Sequence, residues 1–227
     1  MAEFQAALDL SGSEARICIA DASGKVIRCG VLAMKRRESA HLAEFTASEV
    51  AGCGGKLSDV KYWSVGIGPG SFTGMRLAAA LIAGLTHGEK SVHTRGVPTA
   101  IAISQSAAPE LPAGAVSAVL YDGRNHEILV YCVKRNAAGI DEGCSEGTVL
   151  NKDTAAEFFA QNSFSMLCVQ SSQADAVKQL LNPEVAGRLI LVDDYDLSAL
   201  LKSEKTFDNN LRDLIYIRPA VFTKPIN

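Results

Sequence analysis

The chain has 227 residues, of which 48% are hydrophobic and 21% charged. That supplies enough apolar side chain for a packed core and excludes a disordered chain. Lys and Arg number 22 against 25 Asp and Glu, a formal net charge of -3, so there is no basic excess to grip a nucleic-acid backbone unaided.

Such a length suits one large domain or two lobes of roughly 100 residues each. The Met1-Ala2-Glu3-Phe4 start has no basic stretch leading into an apolar one, so no secretory signal is expected. The longest apolar-and-glycine run, Leu77 to Leu85, is nine residues, against the roughly 20 that span a bilayer. Cys18, Cys29, Cys53, Cys132, Cys144 and Cys168 are scattered without a Cys-x-x-Cys pair. They read as reduced packing residues of a cytosolic protein.

Phe4 to Leu10 and Ala15 to Ala20 are apolar runs joined by the turn Ser11-Gly12-Ser13. Ala22-Ser23-Gly24 makes the next turn and Val26 to Ala33 a third strand, giving an antiparallel meander. Ser39 is placed to cap a helix to about Ala51, where Gly52, Gly54 and Gly55 stop it. Lys61 to Ile67 is the next strand; a glycine loop and a helix over about Thr73 to His87 follow. Ser91 to Thr94 reads as a short strand, and Pro98 as the first turn of a helix through about Ser106. The segment from Ala107 to Gly114 breaks all periodicity, which sets expected lobes at 1–108 and 114–227.

A second meander runs over Ala115 to Tyr121 and Glu127 to Val133, around the hairpin Asp122-Gly123-Arg124-Asn125-His126. A helix capped by Asn151 or Asp153 extends to Gln161. Met166 to Gln170 is a strand, Ala174 to Leu181 a helix and Arg188 to Val192 a strand. A short helix near Leu197 to Leu201 and an extended end at Leu214 to Ile217 complete the order. Meander, helix, strand, helix thus occurs twice, and two mixed sheets with helices on their faces are the layered solution it implies.

The most informative segment joins the fourth strand to its helix: Gly66-Ile67-Gly68-Pro69-Gly70-Ser71-Phe72-Thr73-Gly74-Met75-Arg76. Amides at a helix N-terminus behind a glycine turn form a concave anion site, which makes Asp9, Ser11, Gly12, Gly68, Gly70 and Ser71 phosphate-loop candidates. The spacing matches neither nucleotide motif, however. The third glycine of Gly-x-Gly-x-x-Gly is Thr73, and no lysine lies between Lys61 and Lys90. A tight turn that lets strand and helix pack closely explains the same glycines.

The helix that follows is apolar on every side, with Arg76 its only charge before His87. Such a helix must be covered all round. One face meets its own sheet; the other meets a second helix or a second protein.

Residues Gly68 to Arg76, followed by Ala83-Gly84-Leu85, resemble the signature of the TsaB (YeaZ) family, accessory proteins of tRNA threonylcarbamoyladenosine synthesis. The resemblance extends to Leu8-Asp9-Leu10-Ser11, His41, Asp122-Gly123-Arg124 with Glu127, and Ile215-Tyr216-Ile217-Arg218. It implies an actin-like fold of two ribonuclease-H-like lobes and a non-catalytic subunit without an intrinsic cofactor. The first-lobe helices would dock on the transferase TsaD, with the ATPase TsaE joining the assembly. Self-pairing in isolation and weak ATP or ADP binding in the complex are part of the same implication, and tRNA is met only through the complex. The contact residues it suggests are His41, Leu42, Phe45, Met75, Ala78, Leu81 and Ile82. The family usually has Gly at the position of Ala78, and Ala and Gly at those of Gly123 and His126.

Catalysis by the chain alone needs groups that the spacing does not supply. His41, His87, His93 and His126 fall in different elements, without His-x-x-x-His or His-Glu-x-x-His. A nucleophilic Ser71 would need a positioned base. The enzyme alternative is a stand-alone actin-like ATPase or small-molecule kinase, in which Asp9 orients a metal-bound water. A carboxylate that caps a turn is the other reading of Asp9.

Overall fold

The computed structural model describes residues 3–34, 38–144 and 146–218. Strands β1 (Phe4–Asp9), β2 (Glu14–Asp21) and β3 (Val26–Ala33) form the expected meander. The Asp21 carboxylate builds its second turn, accepting from the Ser23 and Lys25 amides at 2.9 and 3.1 Å. Strand β4 (Val60–Gly66) pairs parallel to β1, and β5 (His93–Val97) parallel to β4. The sheet order is β3-β2-β1-β4-β5. Strand β5 lies later than the sequence suggests because Thr94 to Val97 are the residues buried beside β4.

Helix α1 (Leu42–Ala51) follows a 3₁₀ turn, Glu38–His41. Ser39 therefore lies inside that turn and does not cap the helix, which begins behind His41 with no side-chain cap. Helix α2 (Phe72–Leu85) does have its cap: Ser71 Oγ accepts from the Gly74 amide at 3.2 Å. Helix α3 (Ala100–Ala107) starts two residues beyond Pro98.

The second sheet repeats the first. Strands β6 (Val116–Arg124) and β7 (Glu127–Arg135) are antiparallel; β8 (Asp141–Gly143) and β9 (Thr148–Leu150) both pair with β7. Helix α4 (Lys152–Gln161) begins at Asn151, whose Oδ1 accepts from the Asp153 and Thr154 amides. Strands β10 (Met166–Gln170) and β11 (Leu189–Val192) then add in parallel, giving the order β11-β10-β6-β7-β8. Helices α5 (Ala174–Lys178), α6 (Pro183–Gly187) and α7 (Ser198–Leu201) complete the order. The short elements β8, β9 and α6 carry too few residues to show a period in the sequence.

The connections cross between the sheets. Helix α3 packs on β6, β7, β8, β10 and β11, whereas α7 packs on β1, β2 and β4. Together they fill a shared core in which Ala7, Cys18 and Val97 meet Val119, Tyr121, Tyr131 and Cys168 through Ile101, Ile103 and Leu200. The segment beyond α7 is held by Arg95 of β5, only 4% exposed. Its guanidinium donates to the carbonyls of Leu200, Leu201, Ser203 and Lys205 at 2.6–3.1 Å and to Ser64 Oγ at 2.9 Å. Burial pulls that guanidinium down to about 10, and these neutral acceptors keep the cation hydrogen-bonded in the interior. Arg135 fixes the segment after α3 similarly. It pairs with Asp141 at 2.7 Å and donates to the carbonyls of Pro109 and Leu111.

Candidate functional site

Between the sheets lies a cleft of about 620 Å³. The Ser11-Gly12-Ser13 turn and the residues from Gly70 to Thr73 form its first-lobe wall. Tyr121 to Arg124, with Gln170, Ser172 and Gln173, form the second-lobe side. The hairpin Arg124, Asn125, His126 takes positive φ at all three residues, and it is tied back by Asp122 Oδ1 accepting from the Arg124 amide at 2.8 Å. Gln173 Oε1 accepts from the Asp122 amide at 2.8 Å. The Tyr121 hydroxyl is buried without a hydrogen-bond partner.

The glycine loop presses on the first turn. A Cβ at Gly74 would lie 1.8 Å from the Leu10 carbonyl oxygen, and one at Gly70 would lie 2.3 Å from that of Ser11. Gly68 has φ +95°, a conformation that L side chains rarely adopt. The Ser71 amide donates to the Ser11 carbonyl at 2.6 Å. Close packing of strand, turn and helix thus accounts for these glycines, as one of the two readings of the motif required.

Among the phosphate-loop candidates, Ser11, Gly12, Gly70 and Ser71 line the cleft, while Asp9 and Gly68 are not in its lining. Asp9 is fully buried. Its Oδ1 accepts from Thr99 Oγ1 at 2.7 Å; its Oδ2 accepts from Ser11 Oγ at 2.9 Å and from the Tyr195 hydroxyl at 2.7 Å. The carboxylate joins the end of β1 to the start of α3 and to the chain beyond β11, so it is a junction between both lobes. Arg16 on β2 strengthens the same junction, bonding Asp194 and Glu14 and stacking over the Tyr195 ring at 4.5 Å. Thr99, Tyr195, Arg16 and Asp194 carry no motif, and their convergence comes from the fold alone.

Burial raises the Tyr131 hydroxyl to about 12. It raises Tyr121 and Tyr195 also, the latter with Asp9 beside it. A denatured chain ionises its tyrosines near 10, while the folded chain holds these protons. Their contribution is therefore complete below about pH 10 and is lost as pH rises through about 12. An alkaline titration of tyrosinate absorbance is expected to show these three hydroxyls ionising together with unfolding. Ionisation of all five tyrosines before the fold is lost would contradict it.

The suggested contact residues divide. Leu42, Met75, Ala78 and Ile82 are buried, with Leu42, Ala78 and Ile82 in the first-lobe core. They are core residues and do not face outward, which corrects four of the seven. His41 is exposed, and Phe45 and Leu81 are half-buried. The open side of α2 is instead Thr73, Arg76, Ala80, Ala83 and Gly84, flanked by half-buried Leu77 and Leu81. Beside it runs a groove of about 620 Å³ lined by Ala79, Ala80, Ala83, Val92, Leu211 and Arg212 among others.

The tail motif bridges the lobes. Arg76 Nε donates to the Tyr216 hydroxyl at 3.0 Å and the guanidinium lies 3.7 Å over the Phe72 ring; Arg218 pairs with Glu127 at 3.1 Å. Among the described residues, no three His, Cys, Asp or Glu side chains converge as metal ligands. No described helix is long and apolar enough to cross a membrane.

Two mixed sheets of matching order, joined by crossing helices around a cleft, give the chain an actin-like fold of two ribonuclease-H-like lobes. Within that class the chain shares its fold with two solved structures. One is an uncharacterised protein with similarity to peptidase YeaZ from Pseudomonas aeruginosa, 20% identical, TM-score 0.68. The other is YeaZ from Pseudomonas aeruginosa, 20% identical, TM-score 0.67. Each match covers 88% of this chain and 89% of the other. No protein-family model matches the chain, and no curated protein matches it in sequence.

Proposed function

We propose that the chain is a TsaB-like accessory subunit, without catalysis of its own, of the machinery that makes threonylcarbamoyladenosine at position 37 of tRNA. The observation that carries the reading is helix α2. Its sequence is almost wholly apolar, yet Ala80, Ala83 and Gly84 stay exposed while Met75, Ala78, Ala79 and Ile82 are buried and Leu77, Leu81 and Leu85 pack partly on the first-lobe core. The exposed stripe of small residues Ala80, Ala83 and Gly84, continuous with the neighbouring groove, suits a helix of a second protein. In this reading the open side of α2, with Phe45 of α1 and His41 of the turn before it, docks on a TsaD-like transferase and holds it in an active arrangement. Without that partner the same stripe serves self-pairing.

The buried Asp9 supports the absence of catalysis. A carboxylate that orients a metal-bound water must face the cleft, and this one is engaged by three hydroxyls beneath it. The chain then needs no cofactor of its own, and ATP or ADP belongs to the assembled complex with a TsaE-like ATPase. A net charge of -3 fits a protein that meets tRNA through its partners, in the cytoplasm. The cleft, with its unpartnered Tyr121 hydroxyl, is the feature that favours the kinase alternative, and Asp9 speaks against it. Sedimentation of the chain mixed with a TsaD-like transferase tests the docking. A single faster species is expected; two independently sedimenting proteins would overturn it.

A further inference from the structure

Strands β2 and β3 bring two cysteines face to face. Cys18 and Cys29 are directly opposite in the antiparallel register, and their sulfurs are 2.8 Å apart. Opposed residues of an antiparallel pair hold their Cα atoms about 4.5–5.5 Å apart, within the range of about 4.4–6.8 Å that a disulfide spans. The two thiols differ in access. Cys29 is exposed on the edge strand, whereas Cys18 is fully buried in the core shared by the lobes.

We propose that Cys18 and Cys29 form an oxidisable dithiol, a modification site that closes to a cross-strand disulfide on meeting a low-molecular-weight disulfide of the glutathione class. The exposed Cys29 thiolate attacks the small disulfide, forming a mixed disulfide and releasing one small thiolate. The Cys18 sulfur then attacks the Cys29 sulfur and displaces the second small thiol, which carries away the Cys18 proton. Two protein thiols are oxidised to one disulfide and one small disulfide is reduced to two thiols. Burial pushes the Cys18 thiol up, which makes it a poor first nucleophile, but a mixed disulfide at Cys29 puts its target in contact. The bond ties the edge strand to β2 on the sheet face that meets α7, opposite the face on which β3 carries α1 through the Arg28–Glu49 pair at 2.6 Å. This assignment does not depend on the proposed function.

The test is equilibration of the folded wild-type chain in glutathione buffers of graded ratio, followed by alkylation, trypsin and mass spectrometry. Cleavage after Arg16, Lys25, Arg28 and Lys35 separates peptides 17–25 and 29–35. They are expected to appear linked, with the loss of two hydrogens. Half-linkage should occur at an oxidised fraction at least about tenfold below that which glutathionylates the single thiol Cys53. Cys18→Ser is expected to leave a lasting glutathione adduct on Cys29, and Cys29→Ser to leave Cys18 unmodified. Because the link is read on the wild type, the test stands even if a variant fails to fold. Glutathione accumulating on Cys29 without the link, or the two peptides unlinked at every ratio, would overturn the assignment.

Discussion

Asp9→Ala is expected to lower the stability of the chain by about 4 kcal/mol, read as a lower denaturant midpoint with an unchanged slope. Three hydroxyls donate to this carboxylate, and it is fully buried. A buried hydrogen-bonding group left without its partner costs about 1–3 kcal/mol. Ser11, next to the cleft, can turn to water, but Thr99 and Tyr195 are enclosed. Asp9→Asn keeps one acceptor oxygen and turns an amide toward hydroxyls that can themselves accept, so about half of the loss is expected to return. The order alanine below asparagine below wild type marks a structural junction. An Asp9→Ala chain within about 0.5 kcal/mol of wild type would show that the carboxylate is not needed for the fold, and would reopen a catalytic role for it.

Leu81→Arg is expected to weaken association with a TsaD-like transferase at least about 100-fold, close to 3 kcal/mol, while costing the isolated fold only about 1 kcal/mol of packing against the first-lobe core. Leu81 is half-buried on the rim of the open side of α2, where an arginine stem can lie along the surface with its charge in water. Docking would trap that charge against an apolar partner without a counter-ion. Ala78→Arg makes the contrast, since Ala78 has no exposed surface and an arginine there should unfold the first lobe. Measuring midpoint and association together separates the two effects. An unchanged affinity for Leu81→Arg would remove the open side of α2 from the docking surface.

Much of the architecture was legible in the residues. Alternating apolar runs between Ser-Gly and Asp-Gly turns located both meanders, and Asn151, one of the two candidate caps, marked the start of α4. Ser39 misled because a 3₁₀ turn intervenes before α1, and β8 and β9 are too short to stand out. The site was legible only in part. The glycine loop announced close packing, but nothing in the sequence links Asp9 to Tyr195, which lies 186 residues away. A helix apolar all round gives no sign of which side its own sheet covers. Four suggested contacts therefore proved to be core, and the open side emerged only once α2 was set on its sheet.

The most direct measurement of the account is reconstitution of tRNA threonylcarbamoylation from a TsaD-like transferase, a TsaE-like ATPase and this chain. Modified adenosine is expected to form with all three, to vanish when this chain is omitted, and to fall sharply with Leu81→Arg in its place. Full modification in its absence would contradict the account.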